Sequence, residues 1–307
     1  MLKAVIFDLN GISCNNTPQP KVPIPYLDQL KADLQKNGLQ IADIASIAGN
    51  SCDRASSYSA LQKQLQVHPG ECVAITDTYW GLLSARNASV TCIGYHNPDI
   101  TPQDLYKASF LVEGFEEVDF SFIDRVYQYD HMHPVTIATT HNFIIRELSV
   151  DDVRELYLIC NEPSVRPYVD DFNDSLAVEM EKQEAYIRNV YHFYGFGLWG
   201  VFLKETNQLV GRCGIEYKQL GSEEIYEIGY LLAKPYQGLG YAREFVTGVL
   251  NYGFRELRLP RIVAVIDKEN IRSIHLAEQV GMQRAGACLR NRRACYKYEI
   301  TGSLLCG

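Results

Sequence analysis

Residues Tyr226–Ala242 read YEIGYLLAKPYQGLGYA, and three devices follow one another there. An apolar, β-branched and aromatic run from Ile225 to Leu232, bounded by Pro235, predicts a strand. A turn with Gln237, Gly238 and Gly240 follows, where glycine lets the backbone come close to a ligand. From about Tyr241 an amphipathic helix places Phe245, Val249, Leu250 and Phe254 on one face. A strand that splays into a glycine turn and opens a helix offers free N–H groups and the positive end of a helix dipole to an anion. A pyrophosphate fits such a site.

No Gly-Lys-Ser/Thr follows these glycines, which excludes a P-loop. A dinucleotide fold needs a third spaced glycine and an acidic residue ending a second strand, and neither is clear. The pattern Gln237-x-x-Gly240-x-Ala242 follows Glu227-Ile-Gly-Tyr and precedes Asn270-x-x-Ser273 and Val280-Gly281-Met282. Together these resemble the GNAT acetyltransferases, in particular their Rim-like, ribosomal-protein-acetyltransferase branch. The resemblance covers about residues 142–301 and implies a mixed sheet flanked by helices, acetyl-CoA as cosubstrate and an amine acceptor.

At 307 residues the chain predicts two domains of roughly 130 to 170 residues. Its composition is globular, with 47% hydrophobic and 21% charged residues. A net charge of −8 argues against sequence-independent nucleic-acid binding. Residues 255–307 nevertheless hold ten Lys/Arg against five Asp/Glu, a basic tail that either helps hold a phosphorylated cofactor or is a solvated face. Nine cysteines without a C-x-x-C pair, no leader before Met1 and no apolar run of spanning length predict a cytoplasmic, reducing setting without membrane contact.

In residues 1–126, Lys3–Asp8, Ile41–Ala48, Cys72–Ile75 and Val90–Tyr95 read as strands. They alternate with helices at Leu27–Leu39, Ala55–Leu65 and Leu82–Asn87, predicting a doubly wound parallel sheet. Phe7-Asp8-Leu9-Asn10-Gly11, Ile75-Thr76-Asp77 and Gly81-Leu82-Leu83-Ser84-Ala85 resemble motifs of the HAD (haloacid dehalogenase-like) hydrolases. The likeness departs where that chemistry needs it. Asn10 stands where the family has its general acid/base and Ile12 replaces a threonine. No lysine precedes His68-Pro69-Gly70-Glu71 at the expected spacing, and there is no room for a large cap. Asp8 and Asp77 remain candidates for a weak, hydrated Mg²⁺ site. The expectation is a silent HAD-like scaffold, with residual Mg²⁺-dependent phosphatase activity as the competitor. Docking surface, dimer contacts and regulation are the roles left open for it.

Residues 127–141 read as a polar linker, because His131, His133 and His141 lack a fourth metal ligand. Within 142–307, Ser149 is the expected N-cap of a helix over 153–160, and a second helix spans 176–191. In the GNAT resemblance these shape the acceptor pocket, with Arg166, Tyr168, Asp170 and Asp171 on the loop between them. Acetyl transfer needs a base for the protonated amine and a proton for the departing thiolate. Glu227, ten residues before Gln237, stands where the GNAT resemblance implies the base, flanked by Ile225 and Ile228; otherwise it fixes the sheet or binds the substrate amine. Backbone amides at Leu231 and Leu232 and along Gln237, Gly238, Leu239, Gly240, Tyr241 and Ala242 are expected to hold pantetheine and pyrophosphate, with Arg243 on a phosphate. By the resemblance, Asn270 and Ser273 match the family's Asn-x-x-Ser pair that opens a helix near the thioester; otherwise they act only as helix-start residues. Ala277 and Val265 stand where several relatives carry a proton-donating tyrosine and a second carboxylate. By the resemblance the thiolate's proton therefore comes from Ser273, with Tyr296 behind it. The acceptor is a protein N-terminus or a small amine. The other reading is a CoA-binding scaffold whose two enzyme folds are both quiet.

Overall fold

The computed structural model describes residues 1–9, 23–44, 55–100, 103–169 and 172–302. Asn10, Gly11, Ile12, Asp170 and Asp171 lie outside them. The chain forms two compact units, Met1–His133 and Pro134–Gly307.

In the first unit, β1 (Ala4–Asp8), β2 (Gln40–Asp43), β3 (Cys72–Thr76), β4 (Thr91–Tyr95) and β5 (Phe110–Val112) form an all-parallel sheet, ordered β2-β1-β3-β4-β5. Helices α1 (Leu27–Lys36) and α4 (Phe120–Asp130) cover one face. Leu30, Leu34, Ile123 and Val126 pack there against Val5, Phe7 and Ile75. Helices α2 (Ala55–Leu65) and α3 (Tyr79–Asn87) cover the other, with Tyr58, Leu61, Leu82 and Ala85 against Ala4, Ile6 and Ala74. Cover on both faces is why β1 is one apolar run without alternation. The unit is doubly wound, as its alternating elements predict.

The expected linker is largely structured. Helix α4 runs on to Asp130, because Tyr127 continues the buried stripe of Ile123 and its hydroxyl donates to the Gly70 carbonyl at 2.8 Å. Thr136–Thr139 is a strand, β6, at the edge of the second sheet.

The second unit is built on an eight-stranded sheet, ordered β12-β13-β11-β10-β9-β8-β7-β6. Its further strands are β7 (Phe143–Arg146), β8 (Leu198–Leu203), β9 (Leu209–Leu220), β10 (Glu223–Leu232), β11 (Arg261–Asp267), β12 (Gln283–Arg290) and β13 (Arg293–Thr301). Neighbours are antiparallel except β10 and β11, which are parallel and paired at one position, Glu227 opposite Val263. Beyond that rung the two strands diverge. One face carries α7 (Tyr241–Arg255) and α8 (Ile271–Gln279) over a core that includes Trp199, Val201, Phe245, Val249, Leu250 and Tyr298. On the other, α5 (Val153–Cys160) packs Leu156 and Ile159 against Phe202 and Leu209. Helix α6 (Leu176–Tyr186) lies beside α5 and continues through a π turn at Ile187–Tyr191. Phe245 is fully buried and meets Phe143 edge-on at 5.8 Å. Phe245→Ala is expected to lower the unit's unfolding free energy by about 3–5 kcal/mol, read from denaturant titration.

Helix α5 starts at Val153 with Asp152 at its N-cap, three residues after the expected Ser149. Ser149 still takes part: its N–H donates to Asp152 Oδ2 at 2.7 Å, while Arg146 grips both Asp152 oxygens at 2.8 and 3.0 Å. Burial pushes the Asp152 carboxyl up, but these donors more than offset it and hold it below the usual carboxylate range. A depressed carboxyl stabilises the fold above the unfolded value, near about 4, and that contribution fades as pH falls through the folded value. Asp152→Asn should therefore cost on the order of 1–3 kcal/mol at neutral pH. Parallel urea titrations at neutral and acid pH should show the gap to the parent narrowing below about pH 4.

Candidate active site

The β10 backbone alternates its partners along the ladder. Ala233 donates to the Val210 carbonyl at 2.8 Å, and Leu231 lies opposite Arg212, so the same alternation commits the Leu231 amide to β9. The Leu231 amide, expected to face a ligand, is thus spent within the sheet. The Tyr230 and Leu232 amides turn the other way, into the notch left by β11. Gln237 closes the notch's upper end: its Nε2 donates to the Leu232 carbonyl at 2.7 Å.

Lys234–Tyr236 forms a 3-10 turn, after which Gly238 and Gly240 take φ of 81° and 80°. These left-handed values suit glycine. A Cβ at either residue would meet nothing within 4 Å, so both backbones face open space. Gly240 is the N-cap of α7 and no side chain caps that helix. The first-turn amides of Tyr241, Ala242 and Arg243 thus lack intrahelical partners. The Tyr241 ring turns inward to meet Phe143 at 5.2 Å, leaving its amide as its contribution to the site. Leu239 is 61% exposed at the tip of the turn. The exposed Arg243 guanidinium makes no hydrogen bond or ion pair among the described residues. Glu244 anchors the turn by accepting from the Asn142 amide and side chain, each at 2.7 Å. Burial pushes the Glu244 carboxyl up, but the Asn142 and Thr140 donors and nearby His141 outweigh it and leave it below the usual range.

Across the notch, Asn270 caps α8 by accepting from the Ser273 amide at 3.2 Å. The Tyr230 hydroxyl donates to the Ser273 carbonyl at 3.0 Å, and Arg272 donates to Gln237 Oε1 at 2.6 Å. Strand β10, the glycine turn and α8 are stitched together around one opening. The Ser273 side chain also lies within hydrogen-bonding reach of the Tyr230 phenol. Burial pushes the Tyr230 phenol upward. Tyr296 lies on β13 with Arg284 stacked 3.4 Å above its ring centre and Lys268 at 5.0 Å. The structure therefore places Tyr230, which the sequence did not single out, against Ser273, and sets Tyr296 among cations.

Ile228 belongs to the core under α7, so side-chain alternation sends Glu227 to the opposite face. There it is 5% exposed, and both its oxygens accept from Arg290, at 2.5 and 2.6 Å. Lys218 Nζ stands 3.8 Å away. The apolar setting expected for Glu227 is thus replaced by an ion pair, because Ile228 faces away. Glu216 is directly opposite Glu227 in the ladder, accepting from the Tyr186 hydroxyl at 2.9 Å and from Lys218 at 2.9 Å. Arg290, Lys218, Glu216 and Tyr186 were not among the sequence candidates. Hairpin arithmetic around Gly221-Ser222 could have found Glu216; nothing local points to Arg290, 63 residues on. The β12–β13 tip reaches the α5–α6 loop, where Arg293 donates to the Pro167 carbonyl at 2.5 Å. Arg166 holds that loop through the Phe172 carbonyl at 3.0 Å and Asp174 at 3.2 Å.

In the first unit, Asp8 and Asp77 are fully buried near the ends of adjacent β1 and β3. Asn97 donates to Asp77 at 2.9 Å, and Tyr58 approaches Asp8 at 3.5 Å. Among the described residues no cluster of three metal-ligating side chains occurs.

A sheet opened at a single rung, with a glycine-capped helix aimed at the gap, is a cradle for a long ligand with a phosphate end. Comparison with known proteins gives the class. The GNAT acetyltransferase domain profile matches residues 142–283. The uncharacterised protein YkkB of Bacillus subtilis is 32% identical over 169 residues, 55% of this chain and 97% of its own length. The uncharacterised N-acetyltransferase YnaD of the same species is 32% identical over 148 residues, 48% of this chain and 83% of its own. A solved GNAT-family acetyltransferase from Bacillus anthracis aligns over 53% of this chain and 97% of its own, at 26% identity and a TM-score of 0.46. The chain belongs to the GNAT acetyltransferase family. It is an acyltransferase, with acetyl-CoA as cosubstrate and an amine as acceptor. No described helix is long and apolar enough to cross a membrane.

Proposed function

We propose that the second unit moves an acetyl group directly from acetyl-CoA to an amine of a protein N-terminus or a small molecule. The observation that carries this reading is the single rung between β10 and β11 beneath the uncapped amides of α7. The amides of Gly238 to Arg243 hold the pyrophosphate, the Arg243 guanidinium adds charge, and the Tyr230 and Leu232 amides hold the pantetheine. The amine nitrogen attacks the thioester carbonyl, the carbon–sulfur bond breaks, and the thiolate takes a proton from Ser273 or, failing that, Tyr296. The proton lost by the amine goes to Glu227. For that the amine must displace Arg290, so the ion pair acts as a rest state that the acceptor competes with. The described cysteines of this unit, Cys160, Cys213, Cys288 and Cys295, lie in no motif for a covalent acyl-enzyme.

Calorimetry with acetyl-CoA tests the cradle first; saturating ligand that gives neither heat nor thermal protection would remove the reading. Acetyl-CoA consumption over a panel of peptides and polyamines then separates the acceptor classes. Binding without turnover on any acceptor would favour the scaffold reading. For the first unit, the buried Asp8 and Asp77 at neighbouring strand ends support a HAD-like scaffold. Its silence is tested with a generic phosphate ester and Mg²⁺, since turnover abolished by Asp8→Asn would overturn it. Light scattering of the full chain tests whether it forms a homodimer.

A further inference from the structure

Cys288 on β12 lies directly opposite Cys295 on β13, three residues before the hairpin tip. The tip is Asn291-Arg292, with φ of 48° and 65°, a two-residue turn that fixes the register. Directly opposite residues of an antiparallel pair have Cβ atoms about 4.5–5.5 Å apart, and a disulfide needs about 3.5–4.5 Å. The hairpin has only to tighten by about 1 Å at that rung to join the two sulfurs. Tyr298 and Ile300 belong to the core under α7 and α8, so alternation puts Cys295, and with it Cys288, on the opposite face, which also carries Glu227. Arg290, two residues after Cys288, shares that face and holds Glu227. Cys288 is half-buried and Cys295 buried. Burial, with the neighbouring Cys288, pushes the Cys295 thiol up while Arg290 pulls it back, which places the three groups within one another's field.

We infer that Cys288 and Cys295 form a reversible dithiol modification site, closed to a disulfide by exchange with a low-molecular-weight disulfide such as oxidised glutathione. The more accessible Cys288 thiolate attacks the small disulfide and releases one thiolate, which takes up a proton. The mixed disulfide on Cys288 is then attacked by the Cys295 thiolate, expelling the second small thiol. Two protein thiols and one small disulfide become one protein disulfide and two small thiols. Tightening the rung shifts the backbone beside Arg290 and loosens its hold on Glu227.

Trypsin separates the pair cleanly, because Cys288 falls in Ala285–Arg290 and Cys295 in Ala294–Lys297. The full chain is incubated with oxidised glutathione, alkylated, digested and weighed. The expected product is the two peptides joined, two hydrogens lighter than their sum, abolished by dithiothreitol and absent in Cys288→Ser. A glutathione adduct on Cys288 that never resolves to the linked pair overturns the inference, as does no modification at either cysteine. This readout does not depend on acetyl transfer, so its failure is distinguishable from failure of the proposed function. With an acceptor in hand, the disulfide form should transfer several-fold more slowly and recover with dithiothreitol. An unchanged rate would overturn the link to Glu227.

Discussion

Replacing Gly240 with valine should weaken acetyl-CoA binding by about a hundredfold or more. Gly240 holds φ of 80° at the cap of α7, where a side chain is strained. A valine there either stays left-handed, pushing its methyls into the space the ligand fills, or relaxes and turns the first-turn amides off target. Losing two amide contacts to a charged oxygen, each worth about 1.5–3 kcal/mol, corresponds to about two orders of magnitude or more in affinity. Because nothing packs around the missing Cβ, the thermal midpoint without ligand should fall by only a few degrees. Calorimetry and thermal scans on the same samples separate the two effects. A dissociation constant within twofold of the parent would mean the phosphate lies elsewhere.

Glu227→Gln should lower kcat/KM for the acceptor by about 10²–10⁴-fold, the range for loss of a positioned base, with acetyl-CoA affinity unchanged. The substitution also removes a charge from beside Arg290, so a drop in stability is expected too. Glu227→Asp guards against misreading that drop: it keeps the charge but shortens the reach. If the carboxylate only anchors Arg290, both variants will lose stability in proportion to the damaged ion pair while transfer per folded molecule stays near the parent value. A base will instead show the large loss in the amide, with partial recovery in the aspartate.

The glycine turn, the strand before it and the helix after it were legible because each has its own local signature: β-branched residues, paired glycines, and apolar residues at helical spacing. The first unit's parallel sheet was legible for a similar reason, since strands buried on both faces are written as short apolar blocks such as Ala4–Phe7. Strand β12 was not read. It is an edge strand, exposed along most of its length and interrupted by Gly286 at a register shift, so it has no alternation to detect. Strand β6 was hidden in a threonine-rich stretch that also looks like a linker. The site's largest surprise came from distance along the chain. The excess of cations in 255–307 was visible, but its assignment was not: Arg290 goes to Glu227, while Arg261 and Lys297 both go to Glu223. Sequence can count such charges, and only the closed sheet pairs them.

The lone contact between Glu227 and Val263 also bears on how the molecule breathes. Three strands, β11 to β13, hang from the remainder of their sheet by that rung and by the helices behind it. A bound acyl carrier would act as a wedge-shaped ninth member, lending hydrogen bonds to both margins. Amide exchange in β11–β13 should then run faster than in β8–β10 in the empty protein and slow selectively on loading. The melting point should climb with the logarithm of carrier concentration once the dissociation constant is passed.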